Sequence, residues 1–499
     1  MIGTEVEVRL SNDSNFKIIV TNSPSNPHES PNSLLAIVAI ALAVVLTWGP
    51  NPLLAGFAIA VLLAAFVLLW RPGESPVMLL VIGLQWLQAS VQVLNANLIG
   101  LPISEVSQFG GDIATSISLS LTGLLVFALG MRQGAGSTHM ATPLQAKFIA
   151  LHYPVSTWFA WYLIALILGM AAQALAYQIS ALTQPFLALA DLKWAFFFML
   201  TYAVFSRPLQ GRGLWLLAFA IELLLGLGGY FSSFRSVFLF SVLSLVAAGV
   251  RLTVGRTVLL LVVGGLTVVS AIVWTVVKPE YRNFISGGQE AQVVVEDFQD
   301  RMIFLGKLIG DVDGTKFRQG TEDFISRLSY VDFFGSVVNY VPALTAHTDG
   351  EIWLDAIARP FMPRVLFPYK SAIDDSVRTA EFTGLEISGT ERGTSISIGY
   401  MGESYIDFGP IGMMLPILAL GYALGRVYRW LVVTGPMNGL LGMGMASAAL
   451  MSFSLLESSI TKVFGGFVAA LLVIWLLGRF LAPRYLAWLM PSRAQNVAV

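Results

Sequence analysis

The chain has no cysteine. Disulfides, zinc-thiolate sites and thiol nucleophiles are therefore excluded, and the redox compartment is left open. Charge is scarce as well. Asp, Glu, Lys and Arg make up 12% of the 499 residues, against about 25% in ordinary soluble domains. So few charges cannot cover the surface of a soluble fold. Neither sign is in excess: 29 basic against 30 acidic residues give a net charge of −1, so nothing points to nucleic acid. The 46 glycines follow no period, which excludes a collagen-like fibre. Internal repeats and inverted duplications are also missing.

Apolar sequence is abundant. Hydrophobic residues make up 56% and the mean hydropathy is +0.73, so we expect an all-α polytopic membrane protein. A span needs about 20 apolar residues. Runs near 34–49, 52–70, 76–94, 113–131, 156–177, 185–205, 213–230, 234–250, 257–277, 411–430, 437–456 and 463–482 predict about twelve transmembrane helices. Residues 1–33 are polar with mixed charges and lack the basic flank and cleavage site of a signal peptide, so they read as a cytoplasmic tail. A bundle of about nine spans over 34–277, a long loop over 278–398, three last spans over 399–482 and a cytoplasmic tail over 483–499 complete the organisation.

Orientation follows from Lys and Arg in short loops. With the N-terminus cytoplasmic, the inside loops hold Arg71, Arg132 with Lys147, Arg207 with Arg212, Arg251 with Arg256, and Arg426 with Arg429. The outside loops near 50, 95–112 and 178–184 hold none. Both termini are then cytoplasmic and the 278–398 loop is on the outer, periplasmic or extracellular, side. That loop has 12 basic and 18 acidic residues, a net charge of −6, and long loops escape the charge rule. The three- and four-residue spacing of Phe324, Leu328, Val331, Phe334, Val338 and Val341 predicts one amphipathic helix over 322–346, with another turn or two over 352–358. Such helices are expected on the outer membrane surface.

Several residues could carry chemistry. Arg235 opens the eighth apolar run at its outer end, where a helix N-terminus and a guanidinium together suit a phosphate or carboxylate. Snorkelling to headgroups accounts for its position equally well. Arg359, Arg364 and Lys370 lie among hydrophobes and three prolines over 358–370, which fits either an anionic lipid-linked head or an ordinary interfacial loop. Glu403 and Asp407, four apart just before Pro410, share one face of a helix. They could act as a general base or build a helix N-terminus. Glu222 lies midway along the seventh run and suits proton coupling or neutral packing. Asp191 and Lys193 sit close enough in sequence to pair. Asp374 and Asp375 read as a solvated turn more readily than as a divalent-cation site.

The layout of many spans with one large loop before the last few resembles the oligosaccharide repeat-unit polymerases of bacterial surface polysaccharides, the Wzy-type O-antigen and exopolysaccharide polymerase family. So do the Pro-Arg-X-Leu-X-Pro-X-Lys run at 363–370, the Gly-Glu-Ser-Tyr-X-Asp-Phe-Gly run at 402–409 and the Ser-Phe-Arg-Ser run at 233–236. The resemblance covers roughly the last 270 residues; the first 200 match in hydropathy alone. It implies an inner-membrane glycosyltransferase that joins polyprenyl-diphosphate-linked oligosaccharides at the outer leaflet, without metal or cofactor. A flippase and a chain-length regulator are the implied partners. Carried over by motif, the outer-helix arginine corresponds to Arg235, the loop arginine to Arg364 and the acid before the next span to Glu403. In the mechanism this suggests, Arg235 and Arg364, with Arg359, Lys370, Arg378 or Arg392 sharing the work, hold the diphosphate, and Glu403 or Asp407 takes the acceptor proton. The alternatives are a ligase-like glycan transferase and, from another class, a transporter or flippase. His347, the one histidine of the long loop, lies far in sequence from the 402–409 run, unlike the histidine usual in O-antigen ligases.

Overall fold

The computed structural model describes residues 5–9, 17–21, 43–137, 141–179, 182–227, 234–250, 253–288, 295–362, 366–367, 369–370, 374–387 and 395–480. Near the N-terminus, β1 (Glu5–Arg9) and β2 (Lys17–Thr21) pair antiparallel, Glu5 opposite Thr21, where a plain tail was expected. Everything else described is helix or connection.

The helices in chain order are α1 (Pro52–Leu69), α2 (Val77–Ile99), α3 (Ile113–Ala135), α4 (Ala141–His152), α5 (Val155–Gln178), α6 (Thr183–Asp191), α7 (Lys193–Phe205), α8 (Arg212–Leu227), α9 (Arg235–Ala247) and α10 (Val254–Ile285). They continue as α11 (Phe298–Gly310), α12 (Gly314–Leu328), α13 (Val331–Tyr340), α14 (Glu351–Ala358), α15 (Asp375–Thr383), α16 (Gly399–Gly412), α17 (Met414–Arg429), α18 (Leu440–Leu450) and α19 (Ile460–Phe480).

Eight helical stretches among the described residues are long and apolar enough to cross a membrane: Pro52–Leu69, Val77–Ile99, Ile113–Ala135, Val155–Ala176, Thr183–Phe205, Gly255–Ile285, Met414–Thr434 and Ile460–Phe480. The expectation of about twelve is not met by helix length. The run at 234–250 gives 13 residues in α9, and that at 437–456 gives 11 in α18 plus a 3-10 turn at Met451–Phe453. At 1.5 Å per residue, 13 residues reach about 20 Å, short of a hydrocarbon core of about 30 Å. The run at 213–230 yields the 16-residue α8, and most of 34–49 lies outside the described residues.

The closest packing joins α3 to α17. Gly130 and Gly134 of α3 face Gly421 and Gly425 of α17, so the two backbones touch. A Cβ on Gly130 would lie 2.8 Å from the Tyr422 nitrogen, and one on Gly425 would lie 2.7 Å from the Ala135 nitrogen. Small residues four apart on both helices permit this approach, a common device where no solvent drives helices together. Arg71, in the turn between α1 and α2, donates to the Gly136 carbonyl at the end of α3, and the Tyr428 hydroxyl donates to Glu74 at 3.0 Å. The seam is thereby tied to the α1–α2 turn.

The long loop begins later than expected. Helix α10 continues through Pro279 to Ile285, and α11 lies on its end, with Leu305 and Leu308 against Val277, Tyr281 and Ile285. The single helix predicted over 322–346 is two, because α12 stops at Leu328 and α13 starts at Val331. Asp332 fills the corner, accepting from the Ser329 hydroxyl at 3.0 Å and the Gln108 amide at 3.1 Å. Helix α13 does not lie on a surface. Val331, Phe334 and Val337 are fully buried, the Asp112 amide donates to the Gly335 carbonyl, and Ser116 donates to the Val331 carbonyl. The short element expected at 352–358 is α14.

Candidate functional site

Helix α16 carries the acidic pair of the 402–409 run. Both acids are buried, and both carboxylates end on another helix. Glu403 accepts from the Ile460 amide, the first of α19, at 2.7 Å, and from Arg378 of α15 at 2.8 Å. Asp407 accepts from the Ile352 and Trp353 amides in the first turn of α14 at 3.2 and 2.9 Å, and from the Thr348 hydroxyl at 2.5 Å. Four orphan donors at a helix start need such acceptors, and a carboxylate there also meets the positive end of the dipole. Burial raises the Glu403 carboxyl above the ordinary range, while Arg378 and the Ile460 amide pull it back. The helix breaks at Gly409, whose φ of +70° is open to glycine.

The turn before α19 is clamped between α16 and α2. Gln85 donates to the Phe453 carbonyl, and Gln88 accepts from the Leu456 amide at 2.6 Å. The Tyr400 amide donates to the Ser458 carbonyl at 3.0 Å, and its hydroxyl donates to Gln85 at 2.7 Å. From this fixed turn Glu457 projects into solvent. Its carboxyl is nevertheless raised, first by the surrounding protein, with Arg235 and Lys278 pulling it down.

Three helices carry cations whose charges act around this turn. The Trp194–Phe240 stack, centroids 5.1 Å apart, docks α9 on α7, and an edge-to-face contact of Phe234 with Trp274 sets the start of α9 against α10. The start of α9, with Arg235, thus lies against Trp274, one turn before Lys278 on α10. Helix α12 packs on the same stretch of α10, because Gly320 has no side chain to strike Val276. Its last turn presents Arg327, which together with Arg282 and Glu457 acts electrostatically on Lys278. Arg235 and Arg327 are exposed and Lys278 is half-buried.

Of the residues singled out from sequence, Arg378 meets Glu403, and Lys370 meets the Arg359 and Met362 carbonyls at 2.5 and 3.1 Å. Arg359 also pairs with Asp355 at 2.7 Å. Arg364 and Arg392 lie outside the described residues. Asp374 caps α15 by accepting from the Ser376 amide, and Asp375 pairs with Lys462 at 2.7 Å. His347 is near the 402–409 run in space: its Nδ1 is 3.0 Å from the Ile406 carbonyl and its ring meets Tyr405 edge-on. Lys193 pairs with Glu222 at 2.6 Å, and the Tyr162 hydroxyl donates to the same carboxylate at 3.1 Å. Lys278, Arg327 and Glu457 were missed. They lie in three stretches of sequence that only the fold joins; the sole sequence signal was an acid standing alone between two apolar runs.

Residues 87–433 match the model of a family described as a domain of unknown function, DUF8712. The chain belongs to the DUF8712 family. The matched span includes Arg235, Lys278, Arg327, Glu403 and Asp407 and stops before Glu457. No curated protein and no solved structure matches the chain.

Proposed function

We propose that this DUF8712 protein is a membrane glycosyltransferase that polymerises polyprenyl-diphosphate-linked oligosaccharides at the outer leaflet of the bacterial inner membrane. The observation that carries the reading is three cations on three helices, Arg235 of α9, Lys278 of α10 and Arg327 of α12, whose charges act around the exposed turn that carries Glu457. A diphosphate leaving group concentrates negative charge as its bond to the sugar breaks. Preorganised cations lower the energy of that charge, and a guanidinium matches phosphate oxygens with two parallel donors. Arg364, by motif, and Arg392 belong to the same proposal. Lys370 and Arg359 shape the proline-rich turn, and Arg378 neutralises Glu403.

In this reading the site faces the periplasm and both termini face the cytoplasm. The eight long helices, with the short α8, α9 and α18 and the apolar run at 34–49, keep the basic loops on one side. The protein works with a flippase that delivers lipid-linked repeat units and a chain-length regulator that limits the product.

The test is reconstitution. Purified protein in nanodiscs should lengthen lipid-linked repeat units, extracted from cells lacking this protein, with no nucleotide sugar present. Arg235→Ala should abolish elongation, and Arg235→Lys should impair it, because a point charge does not replace the planar fork. Full elongation by Arg235→Ala would remove this cation from the reaction.

The ligase-like alternative is favoured by one observation, the position of His347 beside Ile406 and Tyr405. It predicts transfer of the glycan to a non-polymeric acceptor in the same reconstitution. The transporter alternative is weakened by the partners of Glu222, since an acid held by a lysine and a tyrosine is poorly placed to exchange protons.

A further inference from the structure

Three arginines from three helix ends meet at one glycine. Arg71 follows the end of α1, Arg132 lies in the last turn of α3, and Arg429 closes α17. Gly136 ends α3, and its carbonyl accepts from both Arg71 and Arg132. Those two bonds use both lone pairs of the oxygen. Arg429 reaches the same residue from the other helix, so close that a Cβ on Gly136 would strike its guanidinium. No acceptor is left for it there. Arg429 is half-buried and makes no hydrogen bond or ion pair with the described residues.

Charge is as unbalanced as hydrogen bonding. In the short basic connections 71–76, 132–155, 206–213, 250–256 and 426–439, the one acid is Glu74. Its Oε2 lies 3.4 Å from Arg71 and accepts from Tyr428 at 3.0 Å, and the residue is 1% exposed. Glu74 is thus spent on Arg71, whose guanidinium also lies 5.7 Å from the centre of the Tyr428 ring. The ends of α1 and α3 add about half a negative charge each, so positive charge remains uncompensated.

The surface beside this cluster suits a membrane boundary. Phe66 and Trp70, stacked with centroids 5.2 Å apart, are exposed at the end of α1. Leu129 is exposed about one turn before Arg132. Tryptophan next to arginine at the end of an apolar helix marks the headgroup level of a bilayer.

We propose that Arg132 and Arg429, backed by the buried charge of Arg71, bind a phosphate group, that of an anionic phospholipid headgroup. A guanidinium matches phosphate oxygens with paired donors, and basic pockets between transmembrane helices hold such headgroups. The acyl chains run beside Leu129 and the Phe66–Trp70 stack. The phosphate joins the ends of α3 and α17, the two helices of the glycine seam. The site lies at the opposite end of α3 from Asp112, and it does not depend on the glycosyl-transfer reading.

The experiment is native mass spectrometry of the full chain in detergent, titrated with phosphatidylglycerol, phosphatidylcholine or inorganic phosphate. Wild type should hold phosphatidylglycerol more tightly than phosphatidylcholine. Arg429→Gln should weaken phosphatidylglycerol binding about tenfold, the usual weight of one hydrogen bond to a charged group. Arg132→Gln, at an exposed position, should act in the same direction and covers the case in which the first variant misfolds. Lys147→Gln, which removes an exposed charge on α4, should bind as wild type does. Melting in nanodiscs gives a second readout. Replacing phosphatidylcholine with phosphatidylglycerol should raise the midpoint of wild type and Lys147→Gln, because a ligand of the folded state stabilises it, and should leave Arg429→Gln unmoved. Displacement of the lipid by millimolar inorganic phosphate, with the same rise in midpoint, keeps the site and makes free phosphate its ligand. Equal affinity of wild type for the two lipids overturns the proposal, as does undiminished binding by both arginine variants. An equal loss in Lys147→Gln also overturns it, because attraction to the whole basic face is then the cause.

Discussion

Asp407 stands one helical turn beyond Glu403, and the two carboxylates hold the first amides of two different helices, α14 and α19. One face of α16 is thus a bracket joining an element of the long loop to the last apolar helix. Asp407→Ala should strip the start of α14 of its acceptors. Loss of a cap costs about 0.5–2 kcal/mol, and stranding buried amides adds about 1–3 kcal/mol. Thermal unfolding in detergent should therefore come several degrees earlier, while Asp407→Asn, which keeps an acceptor oxygen, stays close to wild type. An Asn variant of normal stability whose turnover falls a hundredfold would make Asp407 a participant in chemistry.

Glu403 has a pH signature of its own. Burial lifts its carboxyl above its ordinary value of 4.5 despite Arg378. A raised acid favours the protonated folded state, so its contribution to stability is full below the unfolded pKa and is lost as pH rises through the folded one. Melting temperatures of wild type should carry this decline on going upward from pH 4.5, and Glu403→Gln should lack it. Identical pH slopes for the two proteins would show that the folded carboxyl is unperturbed.

The glycine seam makes a steric prediction. Gly134→Ala places a methyl 2.8 Å from the Arg426 nitrogen and forces α3 and α17 apart. Overpacking of this kind costs about 1–3 kcal/mol. Gly265→Ala, on the open side of α10 with nothing within 4 Å, should be neutral or slightly stabilising through helix propensity. Equal melting temperatures for the two variants would show that the seam is not tight.

The Lys193–Glu222 pair separates enzyme from transporter. Glu222→Leu alone leaves Lys193, 20% exposed, without its partner. Breaking a buried pair typically costs about 3–5 kcal/mol, and the partial exposure of Lys193 should hold the loss near the lower end of that range. Lys193→Met with Glu222→Leu should recover most of it. Elongation by the double variant should persist. Complete loss of function in a stable double variant would revive proton coupling through Glu222.

Topology can be read directly in this cysteine-free chain. Thr315→Cys, on exposed α12, should react with an impermeant maleimide in spheroplasts, and Ser137→Cys, at the exposed end of α3, should not react until the membrane is opened. The reverse pattern would invert the protein and place Arg235 on the cytoplasmic side.

Hydropathy located α1, α3, α5 and α19 to within a few residues, because a lipid-facing helix must be apolar along its whole length. It over-read the runs that form α9 and α18, because apolar composition does not reveal where a helix stops. Leu450 passes into a 3-10 turn where Gln85 and Gln88 claim the backbone groups at Phe453 and Leu456, and those glutamines lie more than 300 residues away. The amphipathic spacing of Val331 and Phe334 was legible, but that the stripe faces α3 was not. Arg235 stood out through its position at a helix start. Glu457 gave no such signal, since it stands on a turn whose ties to Gln85 and Gln88 no local pattern reveals. Glu403 and Asp407 were found as a pair, and only the amides at their tips distinguish a bracket from a base.

The seam of Gly130, Gly134, Gly421 and Gly425 divides the protein mechanically. With two backbones in contact and Arg71 bolted across their end, α3 and α17 behave as one beam, and α13 and α16 are mounted on it. Helix α10 is the opposite case, with 19% of its apolar window buried. In the proposed reaction, a lipid tail would enter along the sparsely packed flank of α10, which also carries Lys278, rather than through the glycine seam.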